Sequence, residues 1–221
     1  MECCRIEQLF DLNHTLAAPL LSKKEWPWQV LDELGEFIRQ LGPTLSQEEY
    51  TQVAPEVWVA KTATVAPSAS VQGPCIIGPE AEVRHCAYIR GNALVGAKAV
   101  VGNSVELKNC ILFDAAQVPH FNYVGDSILG HRAHLGAGAV TSNLKSDRSL
   151  VCIRHEGKML ETGRKKLGAL VGDGAEVGCN SVLCPGSVLG RESQVYPTSC
   201  VRGVVPAHHI YKAADKIVAK A

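Results

Sequence analysis

The chain has 221 residues, a formal net charge of +0, 46% hydrophobic residues and 5% aromatic ones. Balanced charge argues against nucleic acid as the main partner, which needs a broad basic face. No apolar run is long enough to span a bilayer, and residues 1–11 do not read as a signal peptide. Nine cysteines, odd in number and without C-x-x-C spacing, read as small hydrophobes in a reducing cytoplasm. Neither a disulfide nor a zinc site is expected.

In chain order, Leu9, Phe10, Leu12, Leu16, Leu20 and Leu21 suggest a short helix. Trp28, Leu31, Leu34, Phe37, Ile38 and Leu41 then fall at helical spacing, opened by Pro27 and closed by Gly42-Pro43. Residues 1–60 are too few for a catalytic domain and hold no glycine-rich phosphate loop. They read as a helical cap over the open end of a downstream repeat domain.

From Val65 an aliphatic residue recurs every sixth position: Val71, Ile77, Val83, Ile89, Val95, Val101, Leu107 and Phe113. Small or apolar residues such as Ala69, Cys75, Ala81, Ala87, Ala93, Ala99, Val105 and Ile111 come four positions after each. That period fits neither a helix nor a lone strand. It predicts an all-β solenoid over residues 61–206, a left-handed parallel β-helix of hexapeptide repeats with three short strands per coil. The period slips by one residue at Val118 and again at Leu129, stops, and returns at Val171, Val177, Leu183, Leu189, Val195 and Val201. Residues 141–170 are therefore an extruded loop, and long loops in compact repeat domains are usually functional. Residues 207–221 read as a C-terminal helix with Lys212, Lys216 and Lys220 on one face, either solvated or a contact for a polyanion.

Residues one coil apart stack at roughly 4.8 Å. Arg90 and Lys108 are eighteen positions apart, so two cations lie on neighbouring rungs, a destabilising arrangement unless an anion relieves it. Glu106 is one candidate for that anion, a bound phosphate the other. His120 and Tyr123 emerge at the first slip, where side chains are re-aimed. His131 and His134 lack a third ligand for a metal, and none is expected.

Three runs carry a resemblance: Gly102-Asn-Ser-Val-Glu-Leu-Lys108, His120-Phe-Asn-Tyr123-Val-Gly-Asp126 and Leu135-Gly-Ala-Gly-Ala-Val-Thr-Ser-Asn143. They resemble bacterial β-helix acetyltransferases acting on glucosamine-1-phosphate. Thr162-Gly-Arg-Lys-Lys-Leu-Gly168 is similar to the long loop of archaeal-type bifunctional sugar-1-phosphate nucleotidylyltransferase/acetyltransferases. The resemblance covers roughly Tyr88 to Val205. No nucleotidylyltransferase domain is read, so no uridylyl transfer is expected.

The resemblance implies an N-acetyltransferase with acetyl-CoA as co-substrate and a hexosamine-1-phosphate or related amino sugar as acceptor. His120 would be the general base, and a backbone N–H at Ala139 would hold the oxyanion. Arg90 and Lys108 would bind the sugar phosphate, and Tyr123 and Asn143 would orient the sugar. Cys179, Ser181 and Tyr196 would line the path of the cofactor. Arg164, Lys165 and Lys166 would hold its phosphates or form a solvated basic turn. Relatives assemble as homotrimers with sites between subunits, implying a cytoplasmic homotrimer here. After Asn143, where the relatives place lysines along the loop, Leu144-Lys145-Ser146-Asp147-Arg148-Ser149 has a cation that is not in clear register, which touches substrate identity more than reaction type. The alternative is a non-catalytic trimeric β-helix binding a sugar phosphate or nucleotide. A metalloenzyme like γ-carbonic anhydrase ranks behind both, since its three-histidine set is not evident.

Overall fold

In the computed structural model, which describes residues 1–214 and 216–220, the six-residue period becomes three stacked parallel faces. The first face holds Val57–Ala60, Cys75–Ile77, Ala93–Val95, the ends of Glu106–Leu112 and Tyr123–Leu129, Ala169–Val171, Ser187–Leu189 and Val204–Val205. The second holds Ser70–Val71, Tyr88–Ile89, the starts of the same two long strands, Val140–Thr141, Val182–Leu183 and Cys200–Val201. The third runs from Thr64–Val65 through Val100–Asn103 and Gln117–His120 to His209–Ala213. One or two residues per strand face the lumen, and these positions are buried from Val83 to Val205. Each such aliphatic contributes roughly 1.5–3 kcal/mol relative to exposure.

The first slip falls one face earlier than the spacing predicts. Leu107 stacks on Ile89, eighteen residues back, but Leu112 stacks on Val95, seventeen back. Leu112 therefore points inward and Phe113 outward, with its ring 5.1 Å from that of Phe10. Cys110 takes the place over Ala93, and Ile111 joins the outer cluster. A shortened coil has room for a leucine inside, while a phenylalanine finds an aromatic partner outside. The second slip lies between Val124 and Leu129, as expected.

Four other expectations are corrected. The tail is not a helix: His209–Ala213 closes the last coil through Tyr211, and Lys216–Ala219 pairs antiparallel with it. Ile210, Ile217 and Val218 favour this strand pairing, so the three lysines share no helix face. Lys212 Nζ lies 5.5 Å from the Tyr196 ring centroid, and Lys220 Nζ donates to Glu192 O. At the other end the solenoid begins earlier than residue 61, where Tyr50–Ala54 pairs antiparallel with Val57–Ala60. Hairpins, not helices, thus cover the first face at one end and the third face at the other, supplying partners to backbone groups that an open edge would leave unpaired.

The helical segment lies elsewhere. Its short pieces, from Ile6–Leu9 and Ala18–Leu21 to Pro27–Val30 and Leu34–Leu41, run along the side of the solenoid. Together with the excursion, they cover the outward residues of the first face: Ile76, Leu94, Ile111, Ile128, Leu170, Val188 and Val204. A three-residue strand whose middle side chain is outward and apolar demands such cover.

The extruded loop is narrower than expected. Thr141 and Leu170 both stay in the stack, and the excursion spans 142–168. It folds back as a hairpin, Cys152–His155 with Lys158–Glu161, and buries Val151, Ile153 and Leu167 in the same outer cluster.

Candidate functional site

The second face carries most of the expected site residues. The two shortened coils put Asn109 and Asp126 at tight corners, with φ of 50° and 48°. Their side chains meet outside the stack, where Asn109 Nδ2 donates to Asp126 Oδ1 at 2.8 Å. Lys108 Nζ lies 3.1 Å from Asp126 Oδ2 and 3.3 Å from Oδ1. Asn143, entering from the start of the excursion, donates to Asp126 Oδ2 at 2.5 Å and to Tyr123 Oη at 3.1 Å. The Asp126 side chain is 4% exposed and collects four donor contacts, which offsets the cost of burying its charge. Asn109 Oδ1 is buried without a hydrogen-bond partner among the described residues.

Tyr123 lies along the face toward this corner. A Cβ on Gly125 would come within 2.3 Å of its Oη, so the glycine makes room for the phenol. Burial, then the charge of Asp126, pushes the phenol above its usual range. Arg90 sits one rung above Lys108, as the spacing predicts, and pairs with Glu106 at 2.6 Å. Glu106 holds the Arg90 guanidinium above its ordinary value. Each stacked cation thus has its own carboxylate, and the repulsion between them is relieved from within the chain.

His120 stands at the opposite edge of the second face, where Gln117–His120 turns the corner. Two residues lie between it and Tyr123, three steps of chain or at most about 10 Å when extended. Its backbone is fixed by Asn122, whose Oδ1 accepts from His120 N–H at 3.1 Å. Asn122 Nδ2 donates in turn to Gly136 O at 2.8 Å and Ala139 O at 2.9 Å. The imidazole is exposed and has no hydrogen-bond partner among the described residues. Phe121 has φ of 53°, but Cys86, Ser104, Asn180 and Thr198 adopt the same conformation at the same corner, so the turn rather than the site requires it.

The column beneath His120 runs through Ala137 and Gly138 to Cys179 and Asn180, then Thr198. Cys179 and Tyr196 are exposed on this edge. The small side chains below His120 leave its outer surface low, which suits a thin extended ligand. Ser181 does not belong to that surface. It is fully buried, donates to Tyr196 O at 3.1 Å and accepts from Ser199 N–H at 3.2 Å, so it fastens one corner to the next. Ala139 is likewise buried, and its N–H donates to Gly136 O at 3.0 Å, so the expected oxyanion donor is already engaged in the turn.

The basic triplet separates. Arg164 pairs with Asp32 at 2.6 Å and donates to Trp28 O at 3.4 Å, pinning the excursion to the N-terminal segment. Lys165 and Lys166 remain exposed. His131 stacks on His14 with ring centroids 3.8 Å apart, and His134 pairs with Glu176 at 2.7 Å. No cluster of three or more metal-ligating side chains occurs among the described residues.

Sequence reasoning gave no role to Asp126, Asn109 or Asn122. Asp126 carried a usable signal, since it lies eighteen residues after Lys108 and closes the His120 motif. Asn109 and Asn122 carried none, because their roles depend on corners that the shortened coils create.

Several known proteins are similar to this chain. A bifunctional sugar-1-phosphate nucleotidylyltransferase/acetyltransferase of Sulfurisphaera tokodaii is 32% identical over 105 residues, covering 48% of this chain and 26% of that protein. The bifunctional protein GlmU of Methanococcus maripaludis is 32% identical over 114 residues, covering 51% and 28%. The chain thus spans about a quarter of the length of these curated relatives, and they are of the kind its motifs resemble. Among solved structures, the polySia-specific acetyltransferase NeuO superposes with a TM-score of 0.45 at 14% identity, covering 79% of this chain and 82% of that one. The family model described as the GMPPB C-terminal domain matches residues 71–217, and the chain belongs to that family.

Proposed function

We propose that this chain is an acetyl-CoA-dependent N-acetyltransferase whose acceptor is the amine of a hexosamine-1-phosphate or a related amino sugar, working as a homotrimer. The observation that carries the reading is the exposed, unpartnered imidazole of His120, held by Asn122 on the same face as the polar network of Tyr123, Asn143, Asp126 and Lys108. Acetyl-CoA supplies the activated acetyl group. His120 takes the proton from the attacking amine near neutral pH. Tyr123 and Asn143 orient sugar hydroxyls, and Lys108 and Arg90 hold the phosphate. The small-residue edge through Ala137, Gly138 and Cys179 is the surface along which the cofactor arm would lie. As the amine nitrogen bonds to the acetyl carbon, the C–S bond breaks and free thiol leaves.

The test is thiol release from acetyl-CoA with glucosamine-1-phosphate or galactosamine-1-phosphate. His120→Ala is expected to lower turnover by about 10²–10⁴-fold while leaving coenzyme A affinity nearly unchanged. A fully active variant would refute the role. A second reading, a non-catalytic binder of sugar phosphates, is favoured by the engaged Ala139 N–H. Retained ligand binding with no thiol release from any hexosamine phosphate would select it.

A further inference from the structure

Away from the edge that carries His120, the excursion and the later coils enclose a cleft of about 740 Å³. Ser142, Leu144 and Lys145 form one wall, Cys152 and Arg154 another, and Cys184, Pro185, Arg202 and Gly203 the floor. That volume lies in the usual range for small-molecule sites. Its charge is lopsided. Asp147 is the single carboxylate among the lining residues, and it is taken up by Lys145 at 3.5 Å and by the Ser149 hydroxyl at 2.8 Å. Arg154 and Arg202 have no carboxylate within ion-pair distance among the described residues, unlike Arg90, Lys108 and Arg164. The immediate neighbours of the Arg202 guanidinium are the thiols of Cys200 and Cys184, whose sulfurs lie 3.5 Å apart.

The two arginines are brought together by packing. Val151 and Ile153 are fully buried on either side of Cys152, which turns the Arg154 side chain outward. Two glycines of the later coils receive this strand. A Cβ on Gly186 would stand 2.8 Å from Val151 Cγ1, and one on Gly203 would stand 2.5 Å from Arg154 O. Gly203, next to Arg202 and at φ of 76°, therefore fixes the approach of Arg154 to it.

We propose that this cleft is a binding site for a phosphorylated small molecule, with Arg154 and Arg202 as its anion clamp. A guanidinium offers paired N–H donors that match phosphate oxygens, and neither of these two has a carboxylate among the described residues to occupy them, only thiols beside Arg202. The site stands whether or not the chain transfers acetyl groups. Its phosphate could belong to a sugar phosphate or to the nucleotide end of a coenzyme.

Calorimetric titration with glucosamine-1-phosphate, adenosine 3′,5′-bisphosphate and uncharged N-acetylglucosamine tests it. At least one phosphate compound should bind, and the uncharged sugar should not; which phosphate binds identifies the source. Arg154→Gln and Arg202→Gln should each weaken binding about tenfold or more. Arg148→Gln, an exposed change on the same excursion, should not. Bound ligand should also slow alkylation of Cys152, Cys184 and Cys200 relative to the remote exposed Cys86. Binding unchanged in both arginine variants, no phosphate binding at all, or no protection of the cleft thiols would overturn the proposal. If phosphate binding ignores the cleft arginines while His120→Ala still loses thiol release, the site fails and the acetyltransferase reading stands. Cleft binding without turnover gives the reverse.

Discussion

The first and second faces of the solenoid share one backbone and one set of inward aliphatics, yet they do opposite things with their outward positions. On the first face those positions are Ile76, Leu94, Ile111, Ile128, Leu170, Val188 and Val204, and the N-terminal segment and the excursion cover them. On the second they include Tyr88, Arg90, Glu106, Lys108 and Tyr123, which stay at least partly exposed; Arg90 pairs with Glu106, Lys108 with Asp126, and Tyr123 accepts from Asn143. The rung pattern makes the tube, and the outward residues decide which side becomes packing and which becomes chemistry. A face of short strands with apolar outward residues is stable only when another part of the chain buries it.

The largest effect should come from opening the covered face. Phe113 is fully buried between the solenoid and Phe10. Phe113→Ala should cost about 4 kcal/mol in urea unfolding, through lost burial and the cavity left behind. Limited proteolysis should then cut within residues 1–49 before the solenoid. Wild-type protection of that segment would mean that the aromatic contact does not hold it. On the polar face Asp126→Asn should cost about 3 kcal/mol, because Lys108, Asn109 and Asn143 would then converge on a group that is no longer an anion. This variant should leave the N-terminal segment protected and lose any transfer activity. If both variants unfold through the same cleavage pattern, the two faces are not independent.

The contrast also marks what the sequence could tell. Lumen residues were legible because one aliphatic every six positions has a single geometric reading, and the return of the period at Val171 forced the excursion out of the stack. Outward residues were legible only where chemistry made them conspicuous, as with Arg90 over Lys108. Phe113 misled because it occupies the right number for the lumen while the shortened coil puts Leu112 there instead. The tail misled because lysines four apart imitate a helix, whereas the open rung beside Gln194 and Val195 needed a strand. Ser181 and Arg164 looked like ligand contacts by type and position. Each had a nearer partner that only the fold supplies: Tyr196 O for the serine, Asp32 for the arginine.

The smallest expected effect sharpens the boundary between the covered face and its N-terminal segment. Asp114 and Asp173 sit on that boundary: Asp114 donates its N–H to His14 O, and Asp173 accepts from Asp11 N–H at 2.6 Å and His131 N–H at 2.8 Å. Burial raises both carboxyls above the usual carboxylate value, outweighing the hydrogen bonds and nearby cations that act in the other direction. A carboxyl raised on folding binds its proton more tightly in the folded chain than in the unfolded one. Between the ordinary value of 3.8 and the raised one, the folded state therefore carries more protons, and stability from these groups falls as pH rises through that window. Asp11, also on this segment, moves the other way: hydrogen bonds from Asn13 lower its carboxyl, and it stabilises more as pH rises. Asp114→Asn removes one raised group and leaves Asp11 intact. Denaturant unfolding at several pH values from 4 upward should show wild type losing stability relative to Asp114→Asn as pH rises. A difference that stays flat with pH would mean that burial at this boundary does not disfavour the charged form, and that the segment lies more loosely on the first face than its contacts indicate.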